Sequence, residues 1–247
     1  MIFTLASKEL KSLFGSPMAW VILAVLDLVL AYLFLGQIDG FLAVQPQLTQ
    51  LANPPGVTEI VVIPLFGSAA VVLLMATPLL GMRLIAEERR SHTLVLLRTA
   101  PVSAAEIVIG KFLGLMVFLL AIVALPVAMS LSLLTGGTID FGLLAANTLG
   151  LTLLVGSFAA LALFVSSLTA HPVVAAMGSL GILLLLWVIN FSAQDPDSLL
   201  HYLSLMKHFE AFNRGIVATA DVAYFTLFTV LFLALAARRL ETERLGG

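Results

Sequence analysis

The sequence contains no cysteine, and only 11% of its 247 residues are charged. Without cysteine there is no disulfide framework, no thiolate metal site and no cysteine nucleophile. The shortage of charge excludes an ordinary soluble domain. Soluble chains carry about 25% charged and about 45–50% apolar residues, whereas this one is 61% hydrophobic with a mean hydropathy of +1.12. A net charge of -2 is too balanced to point to a nucleic-acid partner. What remains is a chain that has to face lipid.

A helix needs about 20 mostly apolar residues to cross a bilayer, and the sequence supplies six such runs, predicting an all-α integral membrane protein. They lie at about 17–36, 60–82, 112–135, 142–166, 172–191 and 222–238. The fourth and fifth are separated only by Ser166–Pro172, and Pro172 suits the first turn of the fifth because its missing N–H costs nothing there. Gly36, Gly40, Pro54, Pro55, Gly56, Gly136 and Gly137 mark the expected outer turns. Pro64, Pro78 and Pro126 fall inside spans and permit kinks. Gly110 and Gly114 have the spacing of a close helix contact.

Basic residues set the orientation, because Lys and Arg stay on the cytoplasmic side of short flanking segments. Of the twelve, all but Lys207 and Arg214 fall before span one, between spans two and three, or after span six. Both termini are therefore expected inside, in a multi-pass membrane protein. Residues 1–15 precede the first span with Ile2, Phe3, Ala6, Leu10, Leu13 and Phe14 on one side and Ser7, Lys8, Lys11 and Ser12 on the other. Leu5 and Glu9 fit this pattern poorly. Two readings are open: an amphipathic interfacial helix, or a basic flank that only sets topology.

The sizeable cytoplasmic stretch is the segment 87–106. Ser91 or Thr93 is placed to cap a short helix with Leu94, Val95 and Leu97 as its apolar surface, and Pro101 ends it. Ser103 and Glu106 then form a capping box that opens the next helix. The run Glu88-x-Arg90-x-x-Thr93-Leu94-x-Leu96-Leu97-x-Thr99-Ala100-Pro101-Val102-Ser103-x-x-Glu106-Ile107-x-x-Gly110-Lys111 resembles the coupling-helix signature of ABC-2 type transporter permeases, particularly the gliding-motility GldF-like branch and its nitrous-oxide-reductase maturation relatives. His92 departs from it, since glycine is expected before the Thr-Leu pair. A second match is His208-Phe209-Glu210-x-Phe212-x-Arg214-Gly215 with Asp221-Val222-x-Tyr224-Phe225.

The resemblance covers essentially the whole chain and implies a permease subunit in a bacterial inner membrane. Arg90, Thr93, Leu94, Leu97, Thr99 and Pro101 would dock a separate ATP-binding subunit, present in two copies, which binds ATP and Mg. No cofactor is expected on this chain itself. The second permease is either another copy or a different protein bearing an extracytoplasmic domain. The implied work is export or extrusion; an alternative is force transmission to an extracytoplasmic partner with no transported species. Lining residues are mostly Leu, Val, Ala and Phe, which fit a lipid, a hydrophobic peptide or no ligand at all.

Two further features stand apart. Asp27 sits near the middle of span one, where a carboxylate costs at least a few kcal/mol unless paired, protonated or facing a polar cavity; it is either functional or a helix-packing residue. Outside, 197–220 is predicted as an interfacial or partly re-entrant segment carrying Phe209, Glu210, Phe212 and Arg214, with Asp221 as the N-cap of span six; the competing reading is a surface loop.

Enzyme motifs fail on spacing. Gly110-Lys111 is followed by Phe112 and lacks the first glycine of a phosphate loop, so ATP has to be hydrolysed elsewhere. His171, His201 and His208 form no H-E-x-x-H, and no G-x-S-x-G occurs. Glu87-Glu88 resembles the paired glutamates of intramembrane CAAX-type proteases, but the arginines follow at once and His92 stands four residues on. Neither catalytic residues nor metal ligands are predicted.

Overall fold

A computed structural model describes residues 1–48, 55–91, 102–192 and 204–245. Among these the structure is all helical: α1 (Ile2–Gly15), α2 (Pro17–Leu48), α3 (Ile63–Gly81), α4 (Arg83–Arg90), α5 (Ala104–Ser132), α6 (Phe141–Leu168), α7 (Pro172–Ser192), α8 (Leu205–Asn213) and α9 (Thr219–Leu245). Six of them, with α3 and α4 counted as one continuous rod, are long and apolar enough to cross a membrane.

Local chemistry accounts for the helix ends. Ser103 and Glu106 make the capping box at α5: the Glu106 N–H donates to Ser103 Oγ at 3.2 Å and the Ser103 N–H donates to Glu106 Oε2 at 2.9 Å. Asp140 caps α6 by accepting from the N–H groups of Gly142 and Leu143. Pro172 is the first residue of α7. Before α3 the chain widens into a π turn, Thr58–Val62. Pro64 follows it and has no N–H for the ladder, so the wider turn falls where a regular helix would lack a bond.

Packing is organised around α6, the most enclosed helix, which touches α3, α5, α7, α8 and α9. Several of its polar side chains bond to carbonyls of their own helix or of neighbours, as an apolar setting favours. Asn147 donates to the carbonyls of Leu143 and Asn213, and Ser157 Oγ donates to the Leu153 and Phe225 carbonyls. Helix α9 is the most exposed of the six, followed by α2 and α7.

Two expectations are corrected here. Helix α2 continues past Gly36 and Gly40 to Leu48, so those glycines are helical and not turns. The last helix starts at Thr219, which puts Asp221 inside the first turn and not at its N-cap. Ser91 is the C-cap of α4, its Oγ donating to the Glu87 and Glu88 carbonyls; the short helix expected after it lies outside the described residues.

Candidate functional site

The charges converge at one end of the bundle. Helix α1 lies on the start of α5, and its approach is set by two glycines: a Cβ on Gly110 would come within 2.7 Å of Leu5 Cβ, and one on Gly114 within 2.7 Å of Glu9 Cβ and 2.9 Å of the Ala6 carbonyl oxygen. Only glycine admits backbones this close. Leu5 and Glu9, the two residues that fit the amphipathic pattern worst, therefore form the contact, and Phe3 is turned outward.

That approach buries a carboxylate beside an ammonium. Lys111 on α5 has a fully buried side chain whose Nζ donates to Glu9 Oε1 at 2.8 Å and stands 2.9 Å from Glu88 Oε2. Lys8 Nζ donates to Glu88 Oε1 at 3.0 Å and lies 3.6 Å from Glu9 Oε1. Two cations and two carboxylates thus close a neutral ring joining α1, α4 and α5. Burial opposes the charge on Lys8, but the hydrogen bond and charge of Glu88, with the charge of Glu9, outweigh it and raise its pKa above the usual lysine value. Lys8 stays an ammonium throughout the neutral range.

Arg89, the next residue along α4, faces the other way. Its Nη2 donates to the Ser167 carbonyl at 2.8 Å and pairs with Glu243 of α9 at 2.9 Å. Glu243 also holds Arg239 at 3.2 Å, and Arg244 Nη1 donates to the Val102 carbonyl at 3.0 Å. Both ends of the described chain are therefore at the same end of the bundle.

Where α3 passes into α4, Gly81 lies close against Ala162: a Cβ on Gly81 would meet Ala162 Cβ at 2.7 Å. Ser166 Oγ accepts from the N–H groups of Ile85 and Ala86 and donates to the Met82 carbonyl. A hydroxyl from α6 thereby caps a helix start that the local sequence leaves without one. So α4 is fastened at its root by Ser166, on one flank through Glu88 and on the other through Arg89. It ends at Arg90, which is exposed.

Of the docking residues expected from the sequence, Arg90 stands at the tip of this element, while Thr93, Leu94, Leu97, Thr99 and Pro101 lie outside the described residues. The ion-pair ring is absent from the sequence-based expectations. Two signals point to it all the same: a glutamate on the apolar side of the first helix, and a lysine one residue after a glycine that is four from another.

Asp27 is exposed on α2. It shares a side of that helix with exposed Trp20, Leu28 and Leu35, so it is not enclosed between helices among the described residues. At the opposite end, Phe209 and Phe212 are fully buried, which corrects their expected role as interfacial anchors. A Cβ on Gly150 would collide with Phe212 Cβ and come within 2.7 Å of Phe212 Cγ, so α8 is pressed against α6. Ser204 caps α8, and a Schellman motif closes it. In that motif Gly215 has φ +82°, Ile216 N–H bonds to the Ala211 carbonyl, and Gly215 N–H bonds to that of Phe212. Glu210 and Arg214 do pair, on the exposed side. His208 stacks on Tyr224 at 3.9 Å between ring centres, and its Nδ1 lies 2.6 Å from Asp221 Oδ1, so the residue expected as a cap instead clasps α8 to α9.

Six long apolar helices, one of them enclosed by its neighbours, define a multi-pass membrane protein. The family model for the ABC-2 family transporter proteins matches residues 3–245. The chain belongs to that family, as a transmembrane permease subunit of a kind that normally works with an ABC ATPase subunit. No curated protein matches it significantly.

Proposed function

We propose that this permease converts closure of a separate ATP-binding subunit, present in two copies, into movement of its helices for export or extrusion across a bacterial inner membrane. Both termini and the charged joint are then cytoplasmic, and 92–101 is the docking element with Arg90 at its base. The observation that carries this reading is the fastening of α4. The helix leading into that segment is tied by Glu88 to α1 and α5 and by Arg89 to α9, so a push on it reaches several helices at once. Such a rigid, branched connection suits coupling at a distance.

Purification of the tagged chain in mild detergent, with mass spectrometry and an ATP hydrolysis assay, tests the partnership. A Walker-motif ATPase is expected in the eluate; a chain recovered alone and inert under conditions that preserve other transporters would overturn it. Leu94→Asp or Leu97→Asp is expected to remove the ATPase from the eluate with membrane insertion unchanged, and unaltered co-purification of both variants would refute docking there. Release of a transported species by reconstituted vesicles separates export from force transmission to an extracytoplasmic partner.

A second permease subunit completes the reading, and Asp27 supports its placement against α2. A lone carboxylate at the centre of a spanning helix costs about 2.5–3.5 kcal/mol on insertion scales, and covering it with a partner's polar groups removes that cost. A cysteine at Leu28 is expected to cross-link to the second permease in membranes. Asp27→Leu should weaken that association about tenfold or more, in line with loss of a charge-assisted hydrogen bond, whereas Asp27→Asn should retain most of it. Equal cross-linking in all three proteins would exclude the role. Membership of the GldF-like branch rests on the motif in 88–111 and on the match around His208 to Phe225.

A further inference from the structure

Beside the ion-pair ring, α1, α2 and the α3–α4 joint enclose a cavity of about 370 Å³, within the usual size of small-molecule sites, about 300–1,000 Å³. Its walls divide sharply by chemistry. Ile22 and Leu79 line the part toward the spans, and Lys8, Ser12, Arg83 and Glu87 line the part toward the charged end. Lys8 is spent on Glu88 and Glu9. Arg83, whose Nη2 lies against the weak acceptor Met18 Sδ, and Glu87 are held more loosely. They face each other one helical turn apart at 3.7 Å, beyond a good hydrogen bond, with side chains 37% and 56% exposed. Such an exposed pair contributes little and opens readily for a better partner on each side.

We propose that this cavity is a binding site for a zwitterionic glycerophospholipid with a primary-ammonium headgroup, phosphatidylethanolamine in chemical class. The phosphate would take the guanidinium of Arg83, which offers several donors in a fork, with the Ser12 hydroxyl beside it. The ammonium would take the Glu87 carboxylate. The start of an acyl chain would lie along Ile22 and Leu79. A purely anionic headgroup fits less well: it gains Arg83 but leaves Glu87 facing like charge. A choline headgroup has no N–H to donate. The apolar wall distinguishes a lipid from its free headgroup. The site belongs to this chain alone; only the leaflet that supplies the lipid depends on the cytoplasmic placement proposed above, and binding in detergent is independent of it.

The test is native mass spectrometry of the full-length chain in detergent with an equimolar mixture of phosphatidylethanolamine, phosphatidylcholine and phosphatidylglycerol of matched acyl chains. One phosphatidylethanolamine per chain is expected, retained about tenfold over either competitor, the ratio that one charge-assisted hydrogen bond provides. Glu87→Gln should bring phosphatidylethanolamine and phosphatidylcholine to parity. Arg83→Gln should lower retention of both about tenfold. Ser12→Trp, on the exposed side of α1, should block the mouth and abolish retention. Helix content by circular dichroism and a single symmetric elution peak identify any variant that has failed to fold, and the wild-type ratio alone then decides. Equal retention of the three lipids by the wild type, preference for phosphatidylglycerol, or an ethanolamine preference that survives Glu87→Gln in a folded protein would each overturn the proposal. Displacement of the lipid by an equal concentration of glycerophosphoethanolamine would do so too, since it would mean that the apolar wall is not used.

Discussion

Lys111→Met is expected to destabilise the protein by about 3–5 kcal/mol, the cost of removing one partner from a buried ion pair. Lys111 is fully enclosed and faces two carboxylates. Without it Glu9 and Glu88 share the single ammonium of Lys8, which lies 3.6 Å from the first and 3.0 Å from the second. The methionine replaces the volume of the lysine stem, so the loss is electrostatic and not a cavity. A second substitution separates this account from poor packing. Adding Glu9→Met leaves Lys8 and Glu88 as one balanced pair and an apolar contact between α1 and α5, and it should recover about 1–3 kcal/mol, a coupling typical of residues in one network. Unfolding in detergent, with hydrogen exchange of α1 as the local readout, checks both. If the double variant is as unstable as the sum of its parts, the ring is not a cooperative unit. Coupled ATP hydrolysis should fall with the single variant, because α4 keeps its tie to α9 but loses α5.

The opposite end offers the second large effect. Gly150→Leu drives a Cβ into the Phe212 side chain, whose Cγ would stand 2.7 Å away, so either α8 lifts from α6 or the ring of Phe212 leaves its fully buried seat. Overpacking of this kind costs about 1–3 kcal/mol. Phe212→Ala empties the same seat and should cost about 3–5 kcal/mol. Combined, the new leucine fills part of the space the phenylalanine vacated, and the pair should be more stable than Phe212→Ala alone. Limited proteolysis within 205–218 reads the lifting of α8 directly. A double variant no better than Phe212→Ala would mean that Gly150 and Phe212 do not share one contact.

These two joints differ in how far the chain announces them. The capping box at Ser103, the proline opening α7 and the apolar runs are governed by neighbours within a few residues, and the structure has them where local rules place them. Gly36 and Gly40 show the limit of such rules. Glycine disfavours a helix by about 1 kcal/mol, but in an apolar setting leaving backbone groups unbonded costs more, and α2 runs through both. Aromatic residues beside a span commonly anchor at the membrane surface, which is the local expectation for Phe209 and Phe212; they are buried because Gly150 leaves room on α6 for α8 to approach. Asp221 has an acceptor suited to capping, yet His208 from the preceding helix claims it.

By itself the sequence determined the membrane class, the six apolar helices and the gathering of basic residues into a few segments, because span length, hydropathy and charge act residue by residue or over one helical turn. Only the tertiary structure decided which charges meet. Glu9 and Lys111 are 102 residues apart and Arg89 and Glu243 are 154 apart. No periodicity links positions so distant. They are brought together because two glycines on α5 admit the backbone of α1 and a serine on α6 turns α4 into place, so steric allowance made in one helix selects the electrostatic partners of another.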